Sequence, residues 1–107
     1  MEFRITEDGF RHVVVAEDMK LLGSYLMEDV QNSTAWCDEL IIIINDVESG
    51  HLDEWEGTGN AHTLHITGNH VTITNEYTEE VLQGISLRFF KEALIKWRNF
   101  ISDNTTN

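Results

Sequence analysis

The sequence predicts an α+β fold, with an antiparallel sheet of about five strands covered on one face by two helices. Two observations favour this class: hairpin patterns in which β-branched residues flank turn residues, and amphipathic segments with apolar residues three or four positions apart. The chain has 107 residues, of which 41% are apolar, so one core can form without a disulfide or a metal. We expect a single domain at residues 1–101 and a polar C-terminal tail at 102–107.

The first hairpin is predicted at residues 2–6 and 11–16. The first segment alternates polar and apolar side chains, residues 7–9 (EDG) are a turn signal, and the second segment is rich in β-branched valine. Residues 20–29 fit neither a helical nor a strand period. Because Gly23 and the preceding hairpin favour extended chain, we expect a third strand of the meander in this segment.

The first helix is predicted from Ser33, whose hydroxyl can accept hydrogen bonds from free backbone amides, to Ser49-Gly50. The isoleucines at 41–44 are typical of a strand when taken alone. Burial of a wide apolar stripe can hold β-branched residues in a helix at a cost of about a few tenths of a kcal/mol each. The helical spacing of the apolar residues therefore predicts a helix here and not a strand. The predicted stripe consists of Trp36, Leu40, Ile43, Ile44 and Val47.

The clearest hairpin joins residues 61–67 to 70–76 through Gly68-Asn69, a turn that accepts positive φ. A tight turn pairs Thr67 with His70. Strand alternation then separates an apolar face from a polar one. The apolar face holds Leu64, Ile66, Val71 and Ile73, and the polar face holds Thr63, His65, Thr67, His70, Thr72 and Thr74.

The last helix is predicted from Ser86, which can cap it. Its apolar stripe is formed by Leu87, Phe90, Leu94, Trp97 and Ile101. The cations on its other sides are Arg88, Lys91, Lys96 and Arg98. In a chain this acidic, we expect these cations to pair with carboxylates of the same molecule and not to bind nucleic acid.

The chain carries 19 Asp and Glu against 7 Lys and Arg, for a formal charge of −12. Residues 1–87 hold 17 of the acidic side chains and 3 of the basic ones. Such a charge repels phosphate polyanions, which excludes DNA, RNA and anionic membranes as main partners and favours a basic protein. A single cysteine and the lack of an export or membrane-spanning pattern predict a cytoplasmic protein.

The linear pattern resembles the YacL family of small acidic bacterial cytosolic proteins. The resemblance lies in the order of elements and in LLGSY at 21–25, EW at 54–55, GNAHTLHITGNHVTI at 59–73 and WRNFI at 97–101. The stretch after Glu76 is shorter than the acidic insert of that family. The resemblance brings no catalytic motif. By analogy with small proteins of similar pattern that neutralise polymorphic or contact-dependent growth inhibition toxins, it implies an immunity function.

The densest acidic run predicts a partner-binding site at the end of the first helix and in the loop after it. Such a run can mimic a phosphate backbone in the cleft of a basic nuclease, with a tryptophan as anchor. The alternative is a solvated helix end and turn. A calcium site is not predicted, because the regular Asp-x-Asp-x-Asp-Gly spacing is missing. The candidate residues are Asp46, Glu48, Asp53, Glu54, Trp55 and Glu56.

The histidines do not predict a metal site. His62 and His65 point to opposite faces of one strand, and His65 with His70 would supply only two ligands. We interpret the histidines on the polar face, His65 and His70, as solvated side chains of the sheet. Cys37 is predicted to be structural, because Asp38 and Glu39 would raise its pKa. Without a phosphate loop, a nucleophile elbow or a Cys-x-x-Cys motif, we expect neither an enzyme nor a cofactor.

These observations predict a cytosolic immunity protein that occludes the active-site groove of a basic toxin, with an RNase or DNase as the expected target. The alternative is a YacL-like housekeeping adaptor with no toxin partner. A hydrolase using His65 and His70 is the weakest hypothesis. The sequence leaves the identity of the toxin and the oligomeric state open.

Overall fold

A computed structural model describes residues 1–103 of the chain. The strands are β1 (Glu2–Ile5), β2 (Arg11–Val14), β3 (Glu54–Thr58), β4 (His62–Thr67), β5 (His70–Asn75) and β6 (Val81–Ser86). The helices are α1 (Lys20–Tyr25), α2 (Thr34–Glu48) and α3 (Leu87–Asp103), with a 3₁₀ turn at Glu17–Met19 and a π-helical turn at Leu26–Val30. β1 and β2 form a separate hairpin, and the others form an antiparallel sheet in the order β3-β4-β5-β6. The predicted α+β class is confirmed.

The core lies between the helices and one face of the four-stranded sheet. The register pairs Thr67 with His70 and Leu64 with Ile73, as predicted from the Gly68-Asn69 turn. The inward side chains of the sheet are fully or almost fully buried: Leu64, Ile66, Val71, Ile73 and Ile85. The threonines on the opposite face are half-buried or exposed, so the sheet has one apolar face and one polar face.

Both long helices begin where the sequence predicts. The Ser33 hydroxyl accepts a hydrogen bond from the amide of Trp36 at 3.0 Å, and the Ser86 hydroxyl accepts one from the amide of Phe89 at 3.0 Å. The buried residues of α2 are Cys37, Leu40, Ile44 and Val47, whereas Trp36 and Ile43, which were also predicted for the stripe, are half-buried. The five apolar residues predicted for the stripe of α3 are all buried.

The structure differs from the prediction in two segments, the C-terminus and the chain that follows the first hairpin. α3 continues through Ser102 and Asp103, so these two residues of the predicted tail are helical, and 104–107 lie outside the described residues. The strand predicted at residues 20–29 is wrong, because the chain forms α1 and the π-helical turn there. A Cβ at Gly23 would lie 3.2 Å from Cγ2 of Val15, so this glycine permits close helix–hairpin packing.

β3 and β6 were not predicted. β3 places Glu54, Glu56 and Thr58 on the polar face, and its inward positions are Trp55 and Gly57, so it lacks an aliphatic alternation. In β6, Leu82 pairs with Ile73 and Ile85 pairs with Val71, with a register shift between them. This β-bulge brings both apolar residues inward at a spacing of three, which obscures the strand period.

Three of the four predicted cations of α3, Arg88, Lys91 and Arg98, lie beside carboxylates, as predicted, whereas Lys96 forms no such pair within residues 1–103. Lys91 Nζ lies 3.4 Å from Glu48 Oε1, and Arg88 Nε lies 3.8 Å from Glu92 Oε2. Arg98 Nη2 donates to Asp38 Oδ2 at 3.1 Å, and this guanidinium lowers the pKa of the Asp38 carboxyl. Within the described part of the chain, none of the helices is long and apolar enough to cross a membrane.

Candidate functional site

An open cleft of about 420 Å³ lies between β3, α2 and the π-helical turn. Its walls combine aromatic rings, one carboxylate and the backbone of the β3–β4 connection. Ser33, Thr58, Gly59 and Asn60 are exposed at its rim. The lining residues are Tyr25, Asp29, Ser33, Trp36, Trp55 and residues 57–60, and we refer to this site as the aromatic cleft. A concave apolar surface with a few polar groups is the usual form of a ligand site.

Three aromatic side chains form one side of the aromatic cleft. The ring centroids of Trp36 and Trp55 are 6.2 Å apart with an interplanar angle of 52°. Tyr25 is 2% exposed, and burial raises its pKa by more than the neighbouring Trp36 side chain lowers it. Burial raises the pKa of Tyr25 far above its ordinary value, and the charge of Asp29 adds to this effect. The phenol therefore stays neutral beside the carboxylate.

The carboxylate of Asp29 lies in the floor of the aromatic cleft and is held by three hydrogen bonds. Oδ1 accepts from the amide of Ala61 at 3.1 Å and is 3.0 Å from Nδ1 of His62. Oδ2 accepts from the amide of His62 at 3.0 Å. The Asp29 side chain is 1% exposed. These donors fix the orientation of a buried carboxylate without a Lys or Arg partner among them.

The π-helical turn places Asp29 at this position. The amide of Gln31 donates to the carbonyl of Leu26 at 2.8 Å, and Gln31 itself has φ 56°, which is uncommon for a residue other than glycine. The buried indole of Trp97 donates to the Gln31 carbonyl at 2.8 Å. α3 therefore supports the turn that carries Asp29, and π-helical turns are frequent at functional sites.

Two glycines give the aromatic cleft its shape. A Cβ at Gly57 would lie 2.4 Å from Cη2 of Trp55, and a Cβ at Gly59 would lie 2.5 Å from Oδ2 of Asp29. Real Cβ atoms do not approach other heavy atoms this closely. Gly57 thus lets the Trp55 ring fold across the strand, and Gly59 lets the backbone of the β3–β4 connection approach the carboxylate.

His62 is buried on the side of β4 opposite to His65, as strand alternation predicts. It lies on the inward face of β4, fully buried, with its ring edge-on to Tyr25 at 6.1 Å. Its Nδ1 lies beside Asp29, and Nε2 is buried with no hydrogen-bond partner in residues 1–103. This is the arrangement of an imidazole whose Nδ1–H donates to the carboxylate.

The six predicted partner-binding residues lie around β3 but do not form one patch. Asp46 is half-buried and Glu48 exposed in the last turn of α2, and Asp53 is exposed just before the strand. Glu54 and Glu56 are exposed on the polar face of the sheet, whereas Trp55 points to the opposite face, toward Trp36. The predicted tryptophan anchor is therefore part of the aromatic cleft, on the other side of the edge strand from its two neighbouring carboxylates.

The polar face of the sheet is strongly acidic. Glu54 Oε1 is 2.8 Å from Nε2 of His65, across the β3–β4 pair. From Leu21 through Leu87 the sequence contains no Lys or Arg. The four-stranded sheet and α2 consequently present carboxylates with histidines as their only basic side chains.

The structure gives no support for a metal centre in the part of the chain it describes. Among residues 1–103, no three His, Cys, Asp or Glu side chains converge at a point where they could hold a metal ion. Cys37 is fully buried, and burial, followed by the charge of Asp38, raises the pKa of its thiol to about 11. The predicted direction of this shift is confirmed, and its main cause is desolvation.

The aromatic cleft was not predicted as a site. Its Tyr25 and Asp29 come from the segment misassigned as a strand, and Trp36 was assigned to the core stripe of α2. The available signal was the pair of glycines at 57 and 59 next to Trp55, since closely spaced glycines in a strand often mark a close approach of backbone to another group. The close approach of Gly59 to Asp29 depends on tertiary packing.

No curated protein and no solved structure shows a significant match to the chain. A family profile, however, matches residues 1–87, which include β1 to β6 and all of the residues that line the aromatic cleft. The chain therefore belongs to the uncharacterised protein family UPF0231.

Proposed function

We propose that this protein acts by binding a basic protein partner, and that it is a cytosolic immunity protein that occludes the substrate groove of a basic nuclease toxin. The observation that carries the proposal is the absence of Lys and Arg from Leu21 through Leu87. A groove that binds nucleic acid is itself cationic, so an acidic surface is complementary to it. The binding residues of this proposal are Asp46, Glu48, Asp53, Glu54, Trp55 and Glu56.

The edge position of β3 supports this assignment. β3 has a hydrogen-bonded neighbour on one side only, so both of its faces lie at the periphery of the sheet. A partner docked on this edge would meet Glu54 and Glu56 on one face and Trp55 on the other. The α3 cations Arg88, Lys91 and Arg98 lie beside Glu92, Glu48 and Asp38. The nearest carboxylates that they neutralise are therefore not those of β3.

The primary test measures association with the purified product of the gene directly upstream. Protection against a few toxin molecules requires nanomolar affinity, about −12 kcal/mol. Electrostatic steering should make the association rate fall steeply between about 50 and about 500 mM salt. An association rate that does not change with salt would contradict the electrostatic part of the proposal.

Charge reversal tests the location of the interface. The triple variant Asp53→Lys, Glu54→Lys, Glu56→Lys should bind at least about tenfold more weakly. A matched control reverses Glu7, Asp8 and Glu17, three exposed acids outside the β3 region, and changes the net charge equally. Equal losses in both variants would show that only the overall charge matters and would move the interface away from β3.

The gene neighbourhood distinguishes this proposal from a YacL-like housekeeping adaptor. An immunity gene lies immediately beside a toxin gene, and its product should co-purify with that toxin and abolish its nuclease activity. Co-purification with a basic host assembly and no effect on a neighbouring nuclease would instead support the adaptor.

A further inference from the structure

We propose that the aromatic cleft binds a cationic side chain, the ammonium of a lysine or the guanidinium of an arginine, presented by the basic partner. The inference rests on the proposed function and names the chemistry of its central contact. Trp36 and Trp55 supply the aromatic walls and Asp29 the charge of the floor. This combination of ring faces and a carboxylate is suited to an alkylated or delocalised cation.

The aromatic geometry allows one cation to contact both indoles. The centroids of Trp36 and Trp55 are 6.2 Å apart and their planes are inclined by 52°, so the two rings contact each other. A cation at the open side of the angle between them can reach both rings. A cation is attracted to the face of a tryptophan within about 6 Å of the ring centroid. Because both side chains are half-buried, the cleft is already partly desolvated before a ligand enters.

The charge at the cleft favours a cation over an anion or a neutral ring. Asp29 is 1% exposed, and it accepts hydrogen bonds from two backbone amides and one imidazole. Because little water surrounds this carboxylate, its negative charge attracts a cation in the cleft more strongly than an exposed carboxylate would. A nucleotide has the apolar ring to fit the indoles, but its phosphates would meet this carboxylate and the surrounding acidic surface. Charge complementarity thus selects the lysine or arginine of a basic protein.

The glycines show that the shape of the cleft depends on its backbone. Any side chain at Gly57 would collide with the Trp55 ring, and any side chain at Gly59 would collide with the Asp29 carboxylate. Both elements of the proposed cation site, the aromatic wall and the charged floor, thus require a glycine from the same short segment of chain.

The first experiment uses choline as the cationic probe and 3,3-dimethyl-1-butanol as its neutral isostere. Choline should shift the indole N–H resonances of Trp36 and Trp55 in ¹H–¹⁵N spectra. It should leave unchanged that of Trp97, which is 1% exposed and bonded to Gln31. The neutral isostere should bind about tenfold more weakly. Equal binding of the two probes, or stronger binding of adenosine monophosphate than of choline, would overturn the inference.

Trp55→Leu tests the aromatic wall, with Phe10→Leu as its control. Phe10 is 70% exposed in the β1–β2 turn, so the same loss of an aromatic ring occurs outside the cleft. Trp55→Leu should reduce choline affinity about tenfold and leave the thermal midpoint within about 4 °C of the wild type, whereas Phe10→Leu should not change choline affinity. A choline affinity that is unchanged in Trp55→Leu would contradict the inference.

The same variants separate this inference from the proposed function. With the basic partner, Trp55→Leu should increase the dissociation rate about tenfold, while the charge reversal at Asp53, Glu54 and Glu56 should mainly lower the association rate. Tight partner binding that is unaffected by Trp55→Leu but weakened by the charge reversal would refute the cation site and remove Trp55 from the interface, while leaving the electrostatic binding by the carboxylates intact. Selective binding of choline without binding of the neighbouring gene product would refute the proposed function and support the cleft.

Discussion

Asp29 and His62 are 33 residues apart in the sequence and share two hydrogen bonds. The carboxylate of Asp29 accepts from both the backbone amide and Nδ1 of His62, each at 3.0 Å. The first residue of β4 is therefore attached to the π-helical turn. This attachment joins the central sheet to the helical layer at the floor of the aromatic cleft, so the cleft and the fold depend on the same contact.

Removal of the Asp29 carboxylate should destabilise the protein. Asp29→Ala leaves the amides of Ala61 and His62 and the ring nitrogen of His62 without their acceptor. We expect the free energy of unfolding to fall by about 2–4 kcal/mol, measured by urea denaturation. The control Asp53→Ala removes an exposed carboxylate and should cost less than about 0.5 kcal/mol. Equal effects of the two substitutions would show that the buried hydrogen bonds contribute nothing.

Gly59→Ala should be destabilising because of Asp29 in particular. The added Cβ would lie 2.5 Å from Oδ2 of that side chain, and we expect a loss of about 1–3 kcal/mol. In an Asp29→Ala background the clash is absent, so the same substitution should cost less than about 1 kcal/mol. A double-mutant cycle by chemical denaturation checks this coupling. If the losses of stability from Gly59→Ala and Asp29→Ala are additive, the cost of Gly59→Ala does not come from a contact with the Asp29 side chain.

Asp46→Asn should stabilise the fold. Asp46 and Glu48 lie in the last turn of α2, which has no basic residue, so their charges oppose the negative end of the helix dipole. Removing one of them should raise the free energy of unfolding by about 0.3–1 kcal/mol. Glu39→Gln, in the first half of the same helix, is the control and should not be stabilising. If Asp46→Asn also weakens partner binding, the unfavourable charge serves binding at the expense of stability.

The thiol of Cys37 should make stability fall at alkaline pH. Its pKa is raised from an ordinary value of 9.0 to about 11 in the folded protein. Between these values the unfolded chain loses the proton and the folded chain keeps it. Unfolding is therefore favoured as pH rises, with a slope of up to about 1.4 kcal/mol per pH unit.

Cys37→Ala isolates this contribution. The substitution should lower stability at pH 7, because buried volume is lost, yet reduce the slope between pH 9 and about 11. Urea denaturation across this range measures both effects. Tyr25 contributes to the slope in the same direction only above its ordinary pKa of 10.0. An unchanged slope in Cys37→Ala would assign the alkaline loss to other groups.

Much of the fold could be predicted because local signals and tertiary structure agree. Ser33 and Ser86 cap α2 and α3 through their own hydroxyls, and the Gly68-Asn69 turn fixes the register of β4 and β5. These features depend on a few neighbouring residues. They also coincide with hydrophobic stripes that the fold buries, so propensity and packing lead to the same result.

The remaining elements depend on contacts that a local pattern does not contain. Gly23 weakens the helical pattern of α1, but it is required by the approach of Val15 from the hairpin. The bulge in β6 breaks the strand period. The aromatic cleft brings Gly59, from the β3–β4 connection, against Asp29 and Trp36 of the helical layer, and the π-helical turn that carries Asp29 is maintained by a hydrogen bond from Trp97.

The Trp97–Gln31 hydrogen bond joins the aromatic cleft to a residue outside the segment that matches the family. The match to UPF0231 stops at residue 87, yet the donor that satisfies the Gln31 carbonyl comes from residue 97. A fragment truncated at the end of the matched segment would retain every lining residue of the aromatic cleft and lose the support of its floor. A relative without a donor at the position of Trp97 would need another donor for the Gln31 carbonyl, or a different conformation of this loop.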